Sequence, residues 1–536
     1  MDAVVADKAN RLRSLWLIHP WLLAAAPVLF LLSHNTTAVD ADIVLWSLGA
    51  CLVIASGAFL LALLVLRKPG KASTLASLAL LLFFTYGHWF NFLLARHWFD
   101  HLRSIHILLS ILSAAVFVAG AMLIARTKAD LTLVGRILTT VLLVGIISWS
   151  YTIFSGHRVV WSRKRMEYQQ AAMKRPPPVM QDDPRLPDVY HILLDGYGRQ
   201  DILQEVYGFN NSNFIDFLRD RGFYVADKSV ANYPMTTFSL ASTLNMRYLT
   251  SEIDQHRKKG MTDRSYFLDI IRDHEVGRMF QSLGYRHVHF GTTFLATETS
   301  ANADIVYNFS NLLLHREFST VLLRTTMLRE LEPSVVDLHR YTLAKLREIQ
   351  HIDGPTYTFA HLLMPHMPFV FDRHGNVRSD VPLGLQFVDM TGGWEAKQEY
   401  IEQMLYLNDE MEKLVDHLLN TSRHPPIIVI HSDHGTAALH PGKKSTFEQW
   451  GPLIHERTGI LNAYYVPEPV RQRLYPTITP LNSFRLIFTH GFKLNYPRLK
   501  DRSFFSWYDS IYHIREVTQQ VLTPAGSTQP AMDESP

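Results

Sequence analysis

The sequence predicts a membrane protein in two parts: an N-terminal α-helical bundle of about five transmembrane spans, and a C-terminal α/β domain with a mostly parallel sheet. Residues 14–155 consist mainly of Leu, Ala, Val, Ile and Phe, whereas charged residues occur throughout the chain from about residue 156. Beyond residue 188, short apolar runs alternate with longer segments that favour helices, which is typical of a parallel sheet covered by helices.

The apolar half contains five runs that are long enough to cross a bilayer, since about 20 apolar residues in a helix span its hydrocarbon core. The predicted spans are residues 14–33, 43–66, 73–95, 105–125 and 131–155. The first run is too long for a cleaved signal peptide, and few small residues follow it. We therefore expect residues 1–155 to form one transmembrane domain.

Basic residues in the short loops predict the orientation of the bundle, because Lys and Arg favour the cytoplasmic side. One side carries eight of them: Lys8, Arg11, Arg13, Arg67, Lys68, Lys71, Arg126 and Lys128. The other side carries only Arg96 and Arg103. This bias predicts a cytoplasmic N-terminus and an external C-terminal domain. A basic run at residues 158–165 argues the other way, unless it contacts anionic lipid head groups outside.

The rest of the chain divides into a linker at residues 156–187, a globular domain at 188–522 and a tail at 523–536. The linker is basic and then proline-rich, which is typical of a stiff spacer, and the composition of the tail predicts disorder. The only cysteine, Cys51, lies in an apolar run, so the globular domain has neither a disulfide nor a thiolate metal site. A net charge of +3 with dispersed basic residues disfavours nucleic acid as a partner.

Two predicted strands end in residues that can bind a cation. Apolar runs that predict strands are residues 189–194, 287–290, 357–363, 427–431 and 463–466. Asp195 follows the first of them, and Asp433 and His434 follow the fourth. Ligands gather beyond the carboxyl ends of parallel strands, and carboxylate oxygens with an imidazole suit a divalent cation. Either ending alone is more often a turn, so the prediction depends on the pair.

Between these strands, Pro234 precedes several hydroxyl residues at a predicted helix start: Thr236, Thr237, Ser239 and Ser242. The free amides and positive dipole of a helix start stabilise anions. A threonine at this point has two interpretations. It caps the helix, which is common, or it serves as a nucleophile whose pKa a nearby cation lowers.

Taken together, Asp195, the T-x-x-S segment Thr236 to Ser239 and the Ser432 to Gly435 strand end resemble the sulfatase-like branch of the alkaline phosphatase superfamily. A five-span anchor before the domain is similar to bacterial phosphoethanolamine transferases and lipoteichoic-acid synthases. The resemblance implies that Asp195, Thr236, Asp433 and His434 bind the metal and that Thr236 is also the nucleophile. The C/S-x-P-x-R motif of true sulfatases is absent from the sequence, which disfavours a sulfatase activity.

Three histidines and Ser239 complete the predicted site. The resemblance implies that His366 contacts the substrate, and we assign His366 and His440 as catalytic and His361, His366 and Ser239 as substrate-binding. A histidine can protonate a departing alkoxide or deprotonate an acceptor hydroxyl near neutral pH. In a chain with 26 histidines, a structural role is the alternative for each of them.

The resemblance predicts a metal-dependent transferase in a bacterial inner membrane, with its catalytic domain in the periplasm. It would move a phospholipid-derived head group, phosphoethanolamine or phosphoglycerol, through a phosphothreonine onto an envelope lipid or glycan. The alternatives are a phosphodiesterase or phosphatase with the same site and a catalytically silent envelope-assembly scaffold. Zinc or manganese suits the ligand set, and calcium suits it less well.

A helical insert is predicted between about residues 305 and 350. Its apolar residues are Leu312, Leu313, Leu314, Phe318, Val321 and Leu322. A helix facing the core of the globular domain is the favoured interpretation. The alternative is a helix that rests on the membrane and helps to admit a lipid.

Overall fold

The computed structural model forms two compact units. One unit contains Met1–Arg175 and Ser310–Pro333, and the other contains Pro176–Phe309 and Ser334–Pro536. The residues that the structure describes are 16–35, 41–94, 96, 102–172, 186–261, 264–309, 317–331, 334–378, 393–441 and 446–522. The basic residues Lys8, Arg11 and Arg13, the prolines Pro176, Pro177 and Pro178 of the predicted linker, and the predicted tail lie outside these ranges.

The membrane unit is built from five consecutive helices. They are α1 (His19–His34), α2 (Ala41–Leu66), α3 (Pro69–Leu94), α4 (Leu102–Arg126) and α5 (Thr132–Ala172). By length and composition, four of the described helices can cross a membrane, within residues 43–66, 69–94, 103–126 and 132–155. The helix α1 is apolar but has only 16 residues, so the predicted first span at 14–33 stays a prediction.

Residues 317–331 also belong to the membrane unit, as a helix α12 (Glu317–Arg324) followed by a 3-10 turn (Arg329–Leu331). Phe318 and Leu322 are buried in one apolar cluster with residues of α1, α2 and α3. The sequence favoured a helix in the core of the globular domain. The structure instead places the described part of the insert among the apolar helices, because its apolar side chains find their partners there. Residues 312–314 lie outside the described part.

The insert also bonds to the backbone of α3. The amide of Met327 donates to the carbonyl of Phe83 at 3.1 Å, and the amide of Gly87 donates to the carbonyl of Thr325 at 3.0 Å. A Cβ on Gly87 would lie only 1.8 Å from the carbonyl oxygen of Arg324. Only glycine lets the two backbones approach this closely.

The C-terminal unit contains a seven-stranded sheet in the order β2-β7-β6-β1-β5-β3-β4. The strands are β1 (Val189–Leu194), β2 (Tyr224–Val225), β3 (Arg286–Phe290), β4 (Ile305–Tyr307), β5 (Thr356–Leu362), β6 (Ile427–His431) and β7 (Asn462–Tyr465). A small antiparallel pair, β8 (Phe504–Phe505) and β9 (Arg515–Glu516), lies apart from it. Among the described strands of this sheet, β7 is antiparallel to both of its neighbours, β2 and β6, and the other pairs are parallel. The predicted fold class, apolar helices followed by an α/β domain with a mostly parallel sheet, is confirmed.

Helices connect the strands of this unit. They are α6 (Gln200–Tyr207), α7 (Ser212–Asp220), α8 (Thr236–Leu244), α9 (Thr250–Lys258), α10 (Ser265–Arg272), α11 (Glu275–Ser282), α13 (Val335–Leu346), α14 (Lys397–Thr421), α15 (Gly451–Thr458), α16 (Glu468–Arg471), α17 (Pro480–Leu486) and α18 (Thr518–Leu522). The central strand β1 is completely buried and pairs in parallel with both β5 and β6. The carboxyl ends of these three strands therefore meet at one edge of the sheet.

Buried histidines form an unusual layer in the core below this edge. The Nε2 atoms of His191 and His431 lie 2.7 Å apart, and the rings of His274 and His287 are 5.1 Å apart. Burial lowers the pKa of His287 to about 3 and the pKa of His431 to about 4. These imidazoles are therefore neutral in the folded protein at neutral pH.

This layer predicts that the metal-free protein loses stability in mild acid. The unfolded chain binds protons at these histidines as the pH falls below about 6.5, whereas the folded chain resists protonation until about pH 4. Each such histidine lowers the free energy of unfolding by up to about 1.4 kcal/mol per pH unit within that window. Urea unfolding at pH 7, 6 and 5 measures the loss. In His287→Gln the loss of unfolding free energy between pH 6 and 5 should be smaller by about 1 kcal/mol than in the parent protein. In His374→Gln, which replaces an exposed histidine, the loss should be unchanged. Equal losses in both variants would contradict this account.

Candidate metal centre

Asp195, Asp433 and His434 come together at the carboxyl ends of β1 and β6. Asp195 is the first residue after β1, and Asp433 and His434 are the second and third residues after β6. One ligand atom from each of the three lies within 4.8 Å of the others, and all three side chains are buried. The parallel pairing of β1 with β6 produces this arrangement, since it brings the two strand ends to the same point.

Each carboxylate uses one oxygen for a hydrogen bond, and its other oxygen has no hydrogen-bond donor among the described residues. Asp195 Oδ2 lies 3.2 Å from His361 Nε2, and Asp433 Oδ1 accepts a hydrogen bond from the amide of Gly196 at 3.2 Å. Asp195 Oδ1 and Asp433 Oδ2 are buried without a hydrogen-bond partner in the part of the chain that the structure describes. A buried acceptor without a donor is costly, so these two oxygens require a cation or a proton.

His434 directs the lone pair of one ring nitrogen to the same point as these two oxygens. Its Nδ1 lies 3.0 Å from the carbonyl of Gly435, and because a carbonyl only accepts, Nδ1 carries the proton. Burial, followed by the charge of Arg457, lowers the pKa of His434, so the ring is neutral and Nε2 is unprotonated. Nε2 lies 3.6 Å from Asp195 Oδ1 and 3.3 Å from Asp433 Oδ2. Three electron-pair donors thus converge on one point, which fits a divalent metal ion.

The two carboxylates have opposite pKa shifts. Burial acts to raise the pKa of Asp195, but the charge of His366 and the hydrogen bond from His361 outweigh it, so this pKa is lowered. Burial and the neighbouring charge of Asp195 raise the pKa of Asp433. Like charges that are held this close cannot both ionise easily unless a cation lies between them.

Thr236 adds a hydroxyl to the same point. It is the first residue of α8, and its Oγ1 lies 3.1 Å from His434 Nε2. The residue before it, Met235, occupies the N-cap position and makes no side-chain cap, so Thr236 does not serve as a helix cap. Thr236 is half-buried, whereas Thr237 and Ser239 are buried. Thr236 is therefore the more accessible of the two threonines and lies beside the converging ligands.

One family model matches the part of the chain that carries these residues. Residues 187–453 match the family model described as Sulfatase. Residues 187–453 therefore form a sulfatase-family domain. The predicted membership of the sulfatase-like branch is thereby confirmed, and the chain is an enzyme of the class that transfers or hydrolyses phospho or sulfo groups. No curated protein matches its sequence.

Several solved structures are similar to this chain at low sequence identity. The C-terminal periplasmic domain of EptC from Escherichia coli is 14% identical, with a TM-score of 0.39 over 62% of this chain and 94% of that chain. The lipooligosaccharide phosphoethanolamine transferase A from Neisseria meningitidis is 13% identical, with a TM-score of 0.34 over 86% of this chain and 89% of that chain. A putative sulfatase from Bacteroides thetaiotaomicron is 15% identical, with a TM-score of 0.36 over 60% of this chain and 78% of that chain. At this level of similarity, none of them indicates the reaction of this chain.

The three predicted histidines of the sulfatase-family domain lie in different surroundings. His366 is half-buried, with its ring 6.1 Å from that of His434 and 5.0 Å from that of Trp394. His361 is buried behind Asp195. His440 lies further along the loop after β6, with its ring about 5 Å from those of Trp450 and Trp507 (5.0 and 4.9 Å). His366 is thus beside the converging ligands, whereas His361 supports one of them from behind.

Gly196 shapes one wall of the site. Its backbone has φ +71°, in the left-handed region that favours glycine, and a Cβ would lie 2.7 Å from the Trp394 ring. Trp394 is completely buried and also contacts His366. The Asp-Gly pair after β1 is therefore a turn, as well as the position of a ligand.

Two neighbouring residues at the end of α15 hold the site together, and nothing in the sequence singled them out. Arg457 is buried and donates to the carbonyl of Pro234 at 2.8 Å, the carbonyl of Gly435 at 2.9 Å and the hydroxyl of Tyr508 at 3.1 Å. It therefore joins the segment before Thr236 to the segment after His434. A lone arginine in a helix carries no motif, so only the fold reveals this role.

Glu456 holds the loop that follows the ligands. Its carboxylate accepts hydrogen bonds from the Thr436 hydroxyl at 2.6 Å and from the amides of Ala438 and Leu439 at 2.7 and 2.8 Å. Burial raises its pKa, and these hydrogen bonds oppose the shift. The loop that carries His440 is thus anchored to α15.

We expect Arg457→Met to lower the free energy of unfolding of the metal-free protein by about 3 kcal/mol or more, since three hydrogen bonds to a charged, buried group are lost. The exposed Arg473 provides the matched control, and Arg473→Met should change the stability by less than about 0.5 kcal/mol. Denaturant unfolding measures both values. Equal stabilities of the two variants would show that Arg457 does not hold the site together.

Proposed function

We propose that this chain transfers a phospholipid-derived phospho head group to a hydroxyl on an envelope lipid or glycan, with Thr236 as the nucleophile. One observation carries the proposal: the half-buried Thr236 hydroxyl lies 3.1 Å from His434 Nε2, beside two buried carboxylate oxygens that have no hydrogen-bond donor among the residues described. A divalent cation bound there lowers the pKa of a hydroxyl and neutralises charge on phosphoryl oxygens.

In the first step, Thr236 Oγ1 forms a bond to the phosphorus of the donor, and the bond from phosphorus to the diacylglycerol oxygen breaks. The hydroxyl proton of Thr236 passes to solvent, and the diacylglycerol oxygen takes a proton from His366. The start of α8 supports this step, because its free amides and dipole stabilise the phosphoryl anion. The products are diacylglycerol and a phosphothreonine that carries the head group.

In the second step, an acceptor hydroxyl forms a bond to the same phosphorus, and the bond to Thr236 Oγ1 breaks. His366 takes the proton from the acceptor, and Thr236 regains one from solvent. The Nδ1 of His366 donates to the carbonyl of Met367 at 2.8 Å, which leaves Nε2 for proton exchange. We assign His440 and Ser239 supporting roles in acid-base chemistry and substrate binding.

His361 takes a different role in this proposal. The sequence suggested that it binds substrate, but its buried position behind Asp195 favours the support of a metal ligand. Asp195, Asp433, His434 and Thr236 remain the proposed ligands. Zinc or manganese suits one imidazole with oxygen ligands, and calcium suits it less well.

The membrane unit supports a donor that is itself a lipid. Four of its described helices are long and apolar enough to cross a bilayer, and the insert at residues 317–331 packs among them although both its flanks in sequence belong to the C-terminal unit. A phospholipid is the phosphodiester that such a chain meets at the highest local concentration.

Mass spectrometry of the purified protein after incubation with labelled phospholipid tests the nucleophile. We expect a phospho-adduct of the head group on Thr236 and none in Thr236→Ala, with turnover reduced at least a thousandfold in that variant. The buried neighbour provides the control: Thr237→Val should retain the adduct. Full turnover in Thr236→Ala would overturn the assignment.

The products of the same incubation distinguish the alternatives. Transfer yields diacylglycerol and a modified acceptor, whereas a phosphodiesterase or phosphatase releases a free head group or phosphate. A silent scaffold yields no product and needs no metal.

We also propose that the C-terminal domain lies outside the cytoplasm of a bacterial inner membrane. Within the membrane unit, the insert contacts α3 at Phe83, Gly87 and Asn91, towards its C-terminal end, and Glu330 pairs with His106 near the start of α4 at 2.7 Å. These helix ends lie opposite to the basic loop between α2 and α3. Both flanks of the insert in sequence belong to the C-terminal unit, and the insert contacts the helix ends away from the basic loop. This supports the orientation that the loop charges predict, with the basic loop in the cytoplasm.

Reporter fusions test this orientation. A reporter that is active only in the periplasm should be active when it is fused after residue 522, and inactive when it is fused in the basic loop at residues 67–68. The reverse pattern would overturn both the orientation and the access to external acceptors.

A further inference from the structure

We propose that a hydrogen-bond chain through Thr292, Thr297 and His361 positions Asp195 as a metal ligand and thereby sets the metal affinity of the site. This inference rests on the metal-binding part of the proposed function and does not depend on the reaction that follows. The three residues come from the loop after β3 and from the end of β5, so they lie far apart in the sequence.

The hydrogen-bond chain starts at the metal ligand Asp195 and leads away from the site. His361 Nε2 lies 3.2 Å from Asp195 Oδ2, and His361 Nδ1 lies 2.9 Å from Thr297 Oγ1. Thr297 Oγ1 lies 2.8 Å from Thr292 Oγ1, which accepts a hydrogen bond from the amide of Phe294 at 3.0 Å. The side chains of Asp195, His361, Thr297 and Thr292 are all buried.

The donor and acceptor groups define the direction of the hydrogen bonds on both sides of His361. A carboxylate only accepts, so His361 Nε2 carries the proton. When the ring is neutral, Nδ1 accepts from the Thr297 hydroxyl. The Thr297 oxygen can then accept from the Thr292 hydroxyl, which also lies 3.4 Å from the carbonyl of Phe294. The chain thus selects one tautomer of His361, the one that donates to Asp195.

The outer end of the chain is rigid. The amide of Thr297 donates to the carbonyl of Phe294 at 2.9 Å, and the carbonyl of Thr297 accepts from the amide of Thr292 at 3.1 Å and from His289 Nε2 at 2.9 Å. The inner end is fixed by the sheet, since Leu193 on β1 pairs with His361 on β5. His361 is therefore held from both sides.

This arrangement decides which oxygen of Asp195 faces the cation. His361 bonds to Oδ2, whereas Oδ1 has no hydrogen-bond donor in the described part of the chain and lies 3.6 Å from His434 Nε2. Without the donor at Oδ2, the carboxylate is free to rotate away from the other ligands. His361 and Thr297 are thus positioning residues, and losing partners behind a metal ligand typically weakens metal binding 10-fold to 100-fold.

Zinc titration of the full-length, metal-stripped protein against a chromophoric chelator tests the proposal without any measurement of transfer. Thr297→Val removes one hydroxyl at nearly constant shape, and we expect it to weaken zinc binding about 10-fold or more. Thr293→Val is the matched control, because it makes the same change in the same loop at a buried hydroxyl that has no hydrogen-bond partner among the described residues. It should leave the affinity unchanged.

Two further variants separate positioning from a general loss of structure. We expect His361→Ala to weaken zinc binding more than Thr297→Val does, and His361→Gln to recover part of the affinity, since a glutamine amide can still donate to Asp195. The metal-free Thr297→Val protein should melt a few degrees below Thr293→Val, since Thr297→Val loses two buried hydrogen bonds. The rise in melting temperature on adding zinc should be smaller for Thr297→Val than for Thr293→Val.

Equal zinc affinity in Thr297→Val and Thr293→Val would overturn the proposal, and so would an equal rise in melting temperature of the two variants on adding zinc. The outcome is independent of the reaction. If no head group is transferred but zinc binding still weakens in Thr297→Val, the positioning role stands and only the proposed reaction fails.

Discussion

Two buried carboxylates that face each other across the carboxyl ends of β1 and β6 are the constraint on which the C-terminal unit depends. Asp195 and Asp433 each keep one oxygen without a hydrogen-bond donor from the described residues, in a place from which water is largely excluded. Such an arrangement is unfavourable for the folded protein alone. Strong parallel pairing fixes both strand ends, and a cation bound at the same point would turn the repulsion into attraction.

The surroundings of the site reduce that cost. Arg457 is a buried positive charge that bonds to the carbonyls of Pro234 and Gly435, so it holds the two ligand segments and offsets part of their negative charge. Glu456 beside it accepts three hydrogen bonds from the next loop, and burial raises its pKa. The histidine layer below is neutral, so it provides hydrogen-bonding groups without adding like charge near His434.

Much of this unit could be predicted from the sequence, because buried parallel strands are continuous apolar runs and their carboxyl ends carry the ligands. β1, β3, β5, β6 and β7 coincide with predicted runs, whereas β2 and β4 have only two and three residues and carry no pattern. Arg457, Glu456 and Thr297 could not be predicted, since they reach the site from distant helices and loops. The position of His361 depends on the β1 to β5 register, which periodicity alone does not specify.

The insert shows why the membrane unit was the harder half to predict. In an unbroken α-helix the Gly87 amide pairs with the Phe83 carbonyl, and here each of these groups bonds to the insert at Thr325 and Met327. Backbone groups within a bilayer need partners, so a non-helical turn persists there only where protein supplies them. α3 supplies both partners, and Gly87 leaves the space for the approach. Hydropathy detects a continuous apolar helix and cannot reveal that part of its backbone bonds to a segment more than 200 residues away in the sequence.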